Sequence, residues 1–188
     1  MRNKKVFIMI FCAISIALNI VLGIVTSSLK LPLYLDTIGT ILIAVYFGPW
    51  YGAAVGALTN IITGMIFNPK DIPFLLVNVA VGLIVGFIAK KFKFNLVTAI
   101  ITGLILSIVC PLIGTPIGIW VYGGLTGTGT DFLFIWLKEV GNNIFVASFI
   151  AKITSNFLDK IASCILVWAL IEGMPRQFKK DRIFSDGI

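Results

Sequence analysis

The chain has 188 residues, of which 59% are hydrophobic and only 12% charged, against roughly 25% charged in an ordinary soluble domain. So much apolar surface cannot be hidden in one small core, which argues against a water-soluble enzyme or binding domain and makes lipid the solvent. There is no histidine, and the three cysteines (Cys12, Cys110, Cys164) form no CxxC pair, so neither a metal nor a cofactor is expected; the net charge of +7 is read as membrane topology, with no nucleic-acid partner.

Arg2, Lys4 and Lys5 precede an apolar run to about Val25 that lacks a small-residue cleavage site. The first element is therefore a span over about 6–27 rather than a removed signal peptide. It holds a small-xxx-small pair, Ala13 and Ala17, of the kind that lets helices approach closely. Asn19 lies about 240° round the helix from Ala13 at 100° per residue. Asn19 and Gly23 can therefore face the bundle while the two alanines face another protein.

The second span, about 33–47, is short and starts in a turn-like Leu31-Pro32-Leu33-Tyr34, with Asp36 and Thr37 near its start. Phe47-Gly48-Pro49-Trp50-Tyr51-Gly52 turns the chain into a third span, about 50–67. There Gly52, Gly56, Asn60 and Gly64 share one face at a spacing of four. After the turn Asn68-Pro69-Lys70-Asp71 comes a fourth span, about 72–89, with Asn78, Gly82 and Gly86 on one face. A fifth span covers about 95–117.

Residues 118–143 are read as one loop outside the membrane. It is glycine-rich and then aromatic, carries Trp120, Tyr122, Trp136, Lys138 and Glu139, and contains a short helix from Asp131, its expected N-cap, through Glu139. A loop this long in a compact protein is usually functional or disordered, and its aromatics argue against disorder. The sixth span, about 144–172, opens on Asn142 and Asn143 and carries Lys152, Ser155, Asn156 and Asp159 broadly on one side. Lys152 and Asp159 are expected either to pair internally or to line a polar site, and Lys160 is placed to pair with another helix.

Charge decides the parity of the count. With the N-terminus inside, Arg2, Lys4, Lys5, Lys90, Lys91 and Lys93 are cytoplasmic, and so are Arg176, Lys179, Lys180 and Arg182. Only Lys30, Lys70 and Lys138 lie outside. This bias requires an even number of spans. The expectation is an all-α polytopic membrane protein: a compact six-helix bundle, one domain over 1–188, both termini cytoplasmic.

Polar side chains inside lipid are expensive and face the bundle or a cavity. Asn19, Asp36, Asn60 and Asn78 all fall in the outer half of their spans. One-sided placement points to a pocket open to the outside, although Asn60 and Asn78 could equally bond helix to helix. The expected ligand-binding set adds Lys152, Asn156 and Asn143 from the sixth span and Trp120, Tyr122, Trp136 and Glu139 as a lid or aromatic wall; an interfacial aromatic belt is the rival reading of the loop.

The block Leu35-Asp36-Thr37-Ile38-Gly39-Thr40, running into Gly48-Pro49-Trp50-Tyr51-Gly52-Ala53, Gly56 and Asn60, resembles the second and third spans of substrate-binding S components of energy-coupling factor (ECF) transporters. Nearly the whole length is similar, and Ala13 and Ala17 match the family's docking motif. The resemblance implies a high-affinity, non-enzymatic subunit that takes a small water-soluble vitamin or related heterocycle at the outer face. It implies docking through Ala13 and Ala17 onto a transmembrane coupling subunit driven by two ATPase subunits, toppling in the membrane to release the ligand, and gating by the loop of about Ser27 to Leu33. Ligand residues do not carry over, because such pockets differ between substrates. A self-sufficient secondary transporter and a membrane sensor are the alternatives. The first usually shows internal repeats, which are not found here, and the second is expected to carry a signalling domain.

Overall fold

A computed structural model of the protein describes residues 4–127 and 129–174. Arg2, Arg176, Lys179, Lys180 and Arg182, which carry part of the expected charge asymmetry, lie outside the described residues, as does Thr128 of the glycine-rich loop.

Every regular element among the described residues is helical, with no strand among them. In chain order the helices are α1 (Lys4–Ser28), α2 (Ile38–Phe47), α3 (Pro49–Ile66), α4 (Leu75–Lys91), α5 (Leu96–Tyr122), α6 (Asp131–Glu139) and α7 (Ile144–Gly173). A 3₁₀ segment, Pro69–Phe74, leads into α4. Short connections make sequential helices antiparallel neighbours. One end of the bundle therefore gathers the C-termini of α1, α3 and α5 and the N-termini of α2, α4 and α7.

Four segments are long and apolar enough to cross a membrane: Lys4–Ser28, Pro69–Lys91, Leu96–Tyr122 and Ile144–Gly173. Their lipid-facing sides are bare apolar surface, such as Met9 and Ile14 of α1 and Ile101 and Ile108 of α5. α2 is different. All ten of its residues are buried, as expected for a helix that is apolar all round, and at 1.5 Å per residue it rises only about 15 Å. It begins at Ile38, not 33, because residues 33–37 are held in a non-helical path by partners on α7. α1, α3, α4 and α7 all pack on it, so it forms the centre of the core with Ile41, Ile43 and Val45. α3, at 18 residues, is diluted by Thr59, Asn60 and Thr63.

Glycine faces set the closest approaches. A Cβ at Gly56 would lie 2.6 Å from the Asn78 carbonyl oxygen, and one at Gly82 would overlap the Gly52–Ala53 backbone. α3 and α4 therefore meet along the two small-residue faces visible in the sequence. The tight reversal between α2 and α3 uses Gly48 at φ 98° followed by Pro49 in the first turn of α3, where proline's missing N–H costs nothing.

α5 extends to Tyr122, five residues beyond the expected span, and stops at Gly123 in the left-handed conformation. The connection is therefore shorter than the expected loop 118–143. α6 spans the expected Asp131–Glu139, but Asp131 is its first residue rather than its cap. The Asp131 carboxylate instead accepts from the N–H groups of Thr126 (2.9 Å) and Gly127 (2.6 Å), which folds the glycine-rich turn against the helix start. Phe134 and Leu137 of α6 are buried with Ala147 and Ala151 of α7, while Phe132, Ile135 and Trp136 face outward.

Candidate functional site

A cavity of about 550 Å³ opens among α1, α3, α4, α5 and α7 at the end of the bundle described above. Its size is typical of small-molecule sites. Apolar walls come from Ile20, Ile24, Phe67, Phe74 and Val77. Polar groups come from all five of these helices, and most are held by specific bonds.

Asn19, fully buried on α1, donates to Thr40 Oγ1 (3.0 Å) and Thr59 Oγ1 (3.1 Å) and accepts from the Gly39 N–H (2.7 Å). Gly39 is the second residue of α2, and its N–H has no partner within that helix. Thr37, the N-cap, makes no side-chain cap bond. Asn19 thus caps α2 from a neighbouring helix and ties α1, α2 and α3 together. Asn78 on α4 donates to Asn60 Oδ1 on α3, while Asn78 Oδ1 has no partner. Tyr122 donates to Asp71 Oδ1 (2.7 Å) and accepts from Asn68 Nδ2 (2.7 Å), which fastens the end of α5 to the 3₁₀ segment.

The deepest charges form a cluster around α7. Asp159 is wholly buried and accepts from the Tyr34 (3.0 Å) and Leu35 (2.8 Å) N–H groups. Its other oxygen pairs with Lys160 at 2.7 Å. Lys160 also donates to Thr37 Oγ1 (3.0 Å) and reaches Asp36 at 3.8 Å. One ammonium therefore serves two carboxylates, and Asp36, whose side chain is about a third exposed, faces the cavity. These bonds hold the α1–α2 connection, including Leu35 at φ 50°. Buried charges require such partners.

The expected Lys152–Asp159 ion pair does not form. Seven residues along a helix is about 10.5 Å of rise, too far for direct contact, and Asp159 is engaged by the α1–α2 connection. Lys152 instead donates to the Gly114 carbonyl on α5 (2.8 Å) and lies 5.4 Å from the Phe74 ring centre.

Of the residues expected at the site, Asn19, Asp36, Asn60, Asn78, Tyr122, Lys152 and Asn156 line the cavity. Trp120, Trp136, Glu139 and Asn143 do not. Trp120 is 81% exposed on the outer face of α5, because that helix continues through it. Trp136 and Glu139 lie on the exposed side of α6. Asn143 caps α7 through the Val146 N–H (2.8 Å). Tyr34, Phe67 and Phe74 supply the aromatic wall instead. Tyr34 and Phe74 follow or adjoin prolines in the sequence, a position that marks a turn but not which way a ring points. Lys160 and Thr37 were visible as polar residues near the membrane, yet their convergence on Asp36 depends on tertiary packing.

The described residues contain no group of three His, Cys, Asp or Glu side chains placed to hold a metal ion. A family model described as "ECF transporter, substrate-specific component" matches residues 8–171. The chain belongs to this family. No curated protein matches the chain. As a substrate-specific component it is a multi-pass integral protein of the cell membrane and a binding subunit of a transporter.

Proposed function

We propose that this S component captures a small water-soluble vitamin or related heterocycle from outside the cell and hands it to an energy-coupling module. The observation that carries the reading is the 550 Å³ recess lined by Asp36, Asn60, Asn78, Lys152 and Asn156. A bundle stabilised by apolar packing alone has no use for so many polar groups at membrane depth. In this reading the whole chain is one membrane domain crossing six times. α2, shielded on all sides by its neighbours, crosses as a short helix continued by the non-helical 29–37 segment. Both termini are cytoplasmic, which agrees with the exposed Lys4, Lys5, Lys90, Lys91 and Lys93 at the end opposite the cavity.

Ala13 and Ala17 are exposed on α1, beside exposed Met9, Ile10 and Ile14, while Asn19 points inward. This small-residue face supports docking onto a transmembrane coupling subunit served by two ATPase subunits. Catalysis then resides in those partners. The α1–α2 connection, pinned by Asp159 and Ser155 and touching Gly129 of the glycine-rich turn, is suited to gate the cavity.

The test is a thermal-shift screen of purified protein against water-soluble vitamins. A true ligand at 100 times its dissociation constant adds about 2.7 kcal/mol. A screen in which no vitamin or related heterocycle stabilises the protein, with no small molecule carried through purification, would overturn the reading.

A further inference from the structure

We infer that the ligand of this cavity carries a single carboxylate, received by Lys152; this rests on the reading of the cavity as the substrate site. Lys152 sits on α7 with only 6% of its surface exposed. Its ammonium occupies room that exists because residue 118 is glycine: a Cβ there would overlap Nζ. The group has three N–H donors, and the Gly114 carbonyl takes one. Phe74 offers its ring face, which attracts the cation but does not neutralise it.

No carboxylate among the described residues lies within ion-pair distance of Lys152. Asp131 acts on it only from further off and is itself wrapped by the Thr126 and Gly127 amides. Asp36 and Asp159 are both claimed by Lys160. A buried cation in a lipid-embedded bundle without a counter-ion is costly. Water can solvate it but cannot cancel its charge. The remaining source of an anion is the cavity, whose wall Lys152 forms with Gly114, Phe74, Tyr122 and Asn156.

The charges already on the wall bear on the kind of anion: Asp36 and Asp71 line it beside Lys152 and Lys160. Among the described residues, Lys152 is the lysine on the wall with no carboxylate at ion-pair distance, while Lys160 faces two. With that negative charge already present, a carboxylate, which brings one negative charge to the Lys152 ammonium, fits better than a phosphate dianion, which brings two. The other pole lies about 12 Å along α7, eight residues at 1.5 Å each, where Asp36 and the unpartnered Asn78 Oδ1 call for N–H or O–H donors. The ligand class is therefore a monocarboxylate with hydrogen-bond donors remote from the acid.

The experiment uses the full chain in detergent. Small molecules released from purified wild type are identified by mass spectrometry, and binding is measured for matched probes: pantothenate against pantothenol, nicotinate against nicotinamide, biotin against biotin methyl ester, and pyridoxine against its 5′-phosphate. The expected result is a released molecule or probe bearing one carboxylate, at least tenfold preferred over its neutral counterpart. The preference is lost in Lys152→Met and largely kept in Lys152→Arg. If Lys152→Met does not fold, the acid–neutral comparison on wild type still decides. A retained ligand without an acid, equal binding of acid and neutral partners, or preference for the phosphate overturns the carboxylate inference while leaving the capture function standing. Absence of any retained molecule or bound probe overturns both.

Discussion

Replacing Asn19 by alanine removes three bonds at one point: the cap on the Gly39 N–H and the donors to Thr40 and Thr59. Side-chain bonds between membrane helices contribute about 0.6 kcal/mol each on average, and loss of a helix N-cap costs about 1 kcal/mol. Two donor bonds and the cap together give about 2 kcal/mol, and the space left by the amide raises this toward about 3 kcal/mol. For a chain of this size that corresponds to a fall in melting temperature of about 4–12 °C. The assay is fluorescence-detected size exclusion after heating in detergent, with Ile14→Ala on the exposed face of α1 as a control that stays at the parent value. A melting temperature for Asn19→Ala within about 1 °C of the parent would refute the claim that this asparagine knits α1, α2 and α3.

Further outcomes follow from the same geometry. Gly82→Ala places a Cβ in the Gly52–Ala53 backbone, so it should destabilise by about 1–3 kcal/mol, and Gly82→Leu should abolish a monodisperse peak; normal elution of the leucine variant would contradict the α3–α4 packing. Asp159→Asn removes the nearer of the two carboxylates on Lys160 and the charged acceptor for the Tyr34 and Leu35 amides. With Asp36 and Thr37 still on Lys160, it should cost about 1–3 kcal/mol and speed hydrogen exchange in residues 33–37 more than in α2. Uniform exchange changes would count against a local anchor. Ala13→Leu with Ala17→Leu should block co-purification with a coupling subunit while leaving thermal stability and vitamin binding unchanged; loss of binding with an intact complex would remove the alanine face from docking.

Much of the framework was legible because lipid imposes strong rules on sequence. The spacing of Gly52, Gly56 and Gly64 against Asn78, Gly82 and Gly86 anticipated the α3–α4 contact, since only small residues permit that approach. The inward phase of Asn19 and the outward phase of Ala13 and Ala17 followed from 100° per residue. The one-sided placement of Asn19, Asp36, Asn60 and Asn78 marked the end at which the cavity lies. What escaped was non-local. The start of α2 at Ile38 depends on Asp159, more than a hundred residues away, holding Tyr34 and Leu35 in a non-helical path. Spacing on α7 suggested a Lys152–Asp159 pair because periodicity reports a shared face, not reach. Trp120 and Trp136 read as an aromatic wall, but helix continuation through Tyr122 and the amphipathic docking of α6 turned both outward. The ring wall is built instead from Tyr34, Phe67 and Phe74, whose side chains are aimed by turns.

The most direct test of nutrient capture in the cavity is mass spectrometry of small molecules released from the purified protein and from a Gly23→Trp variant. Gly23 lines the recess, and a Cβ there would lie 3.5 Å from Asp36 Cβ, so an indole at this position fills it. The account predicts a defined small heterocycle released from wild type and lost from the folded variant. Equal recovery of that molecule from both proteins would contradict it.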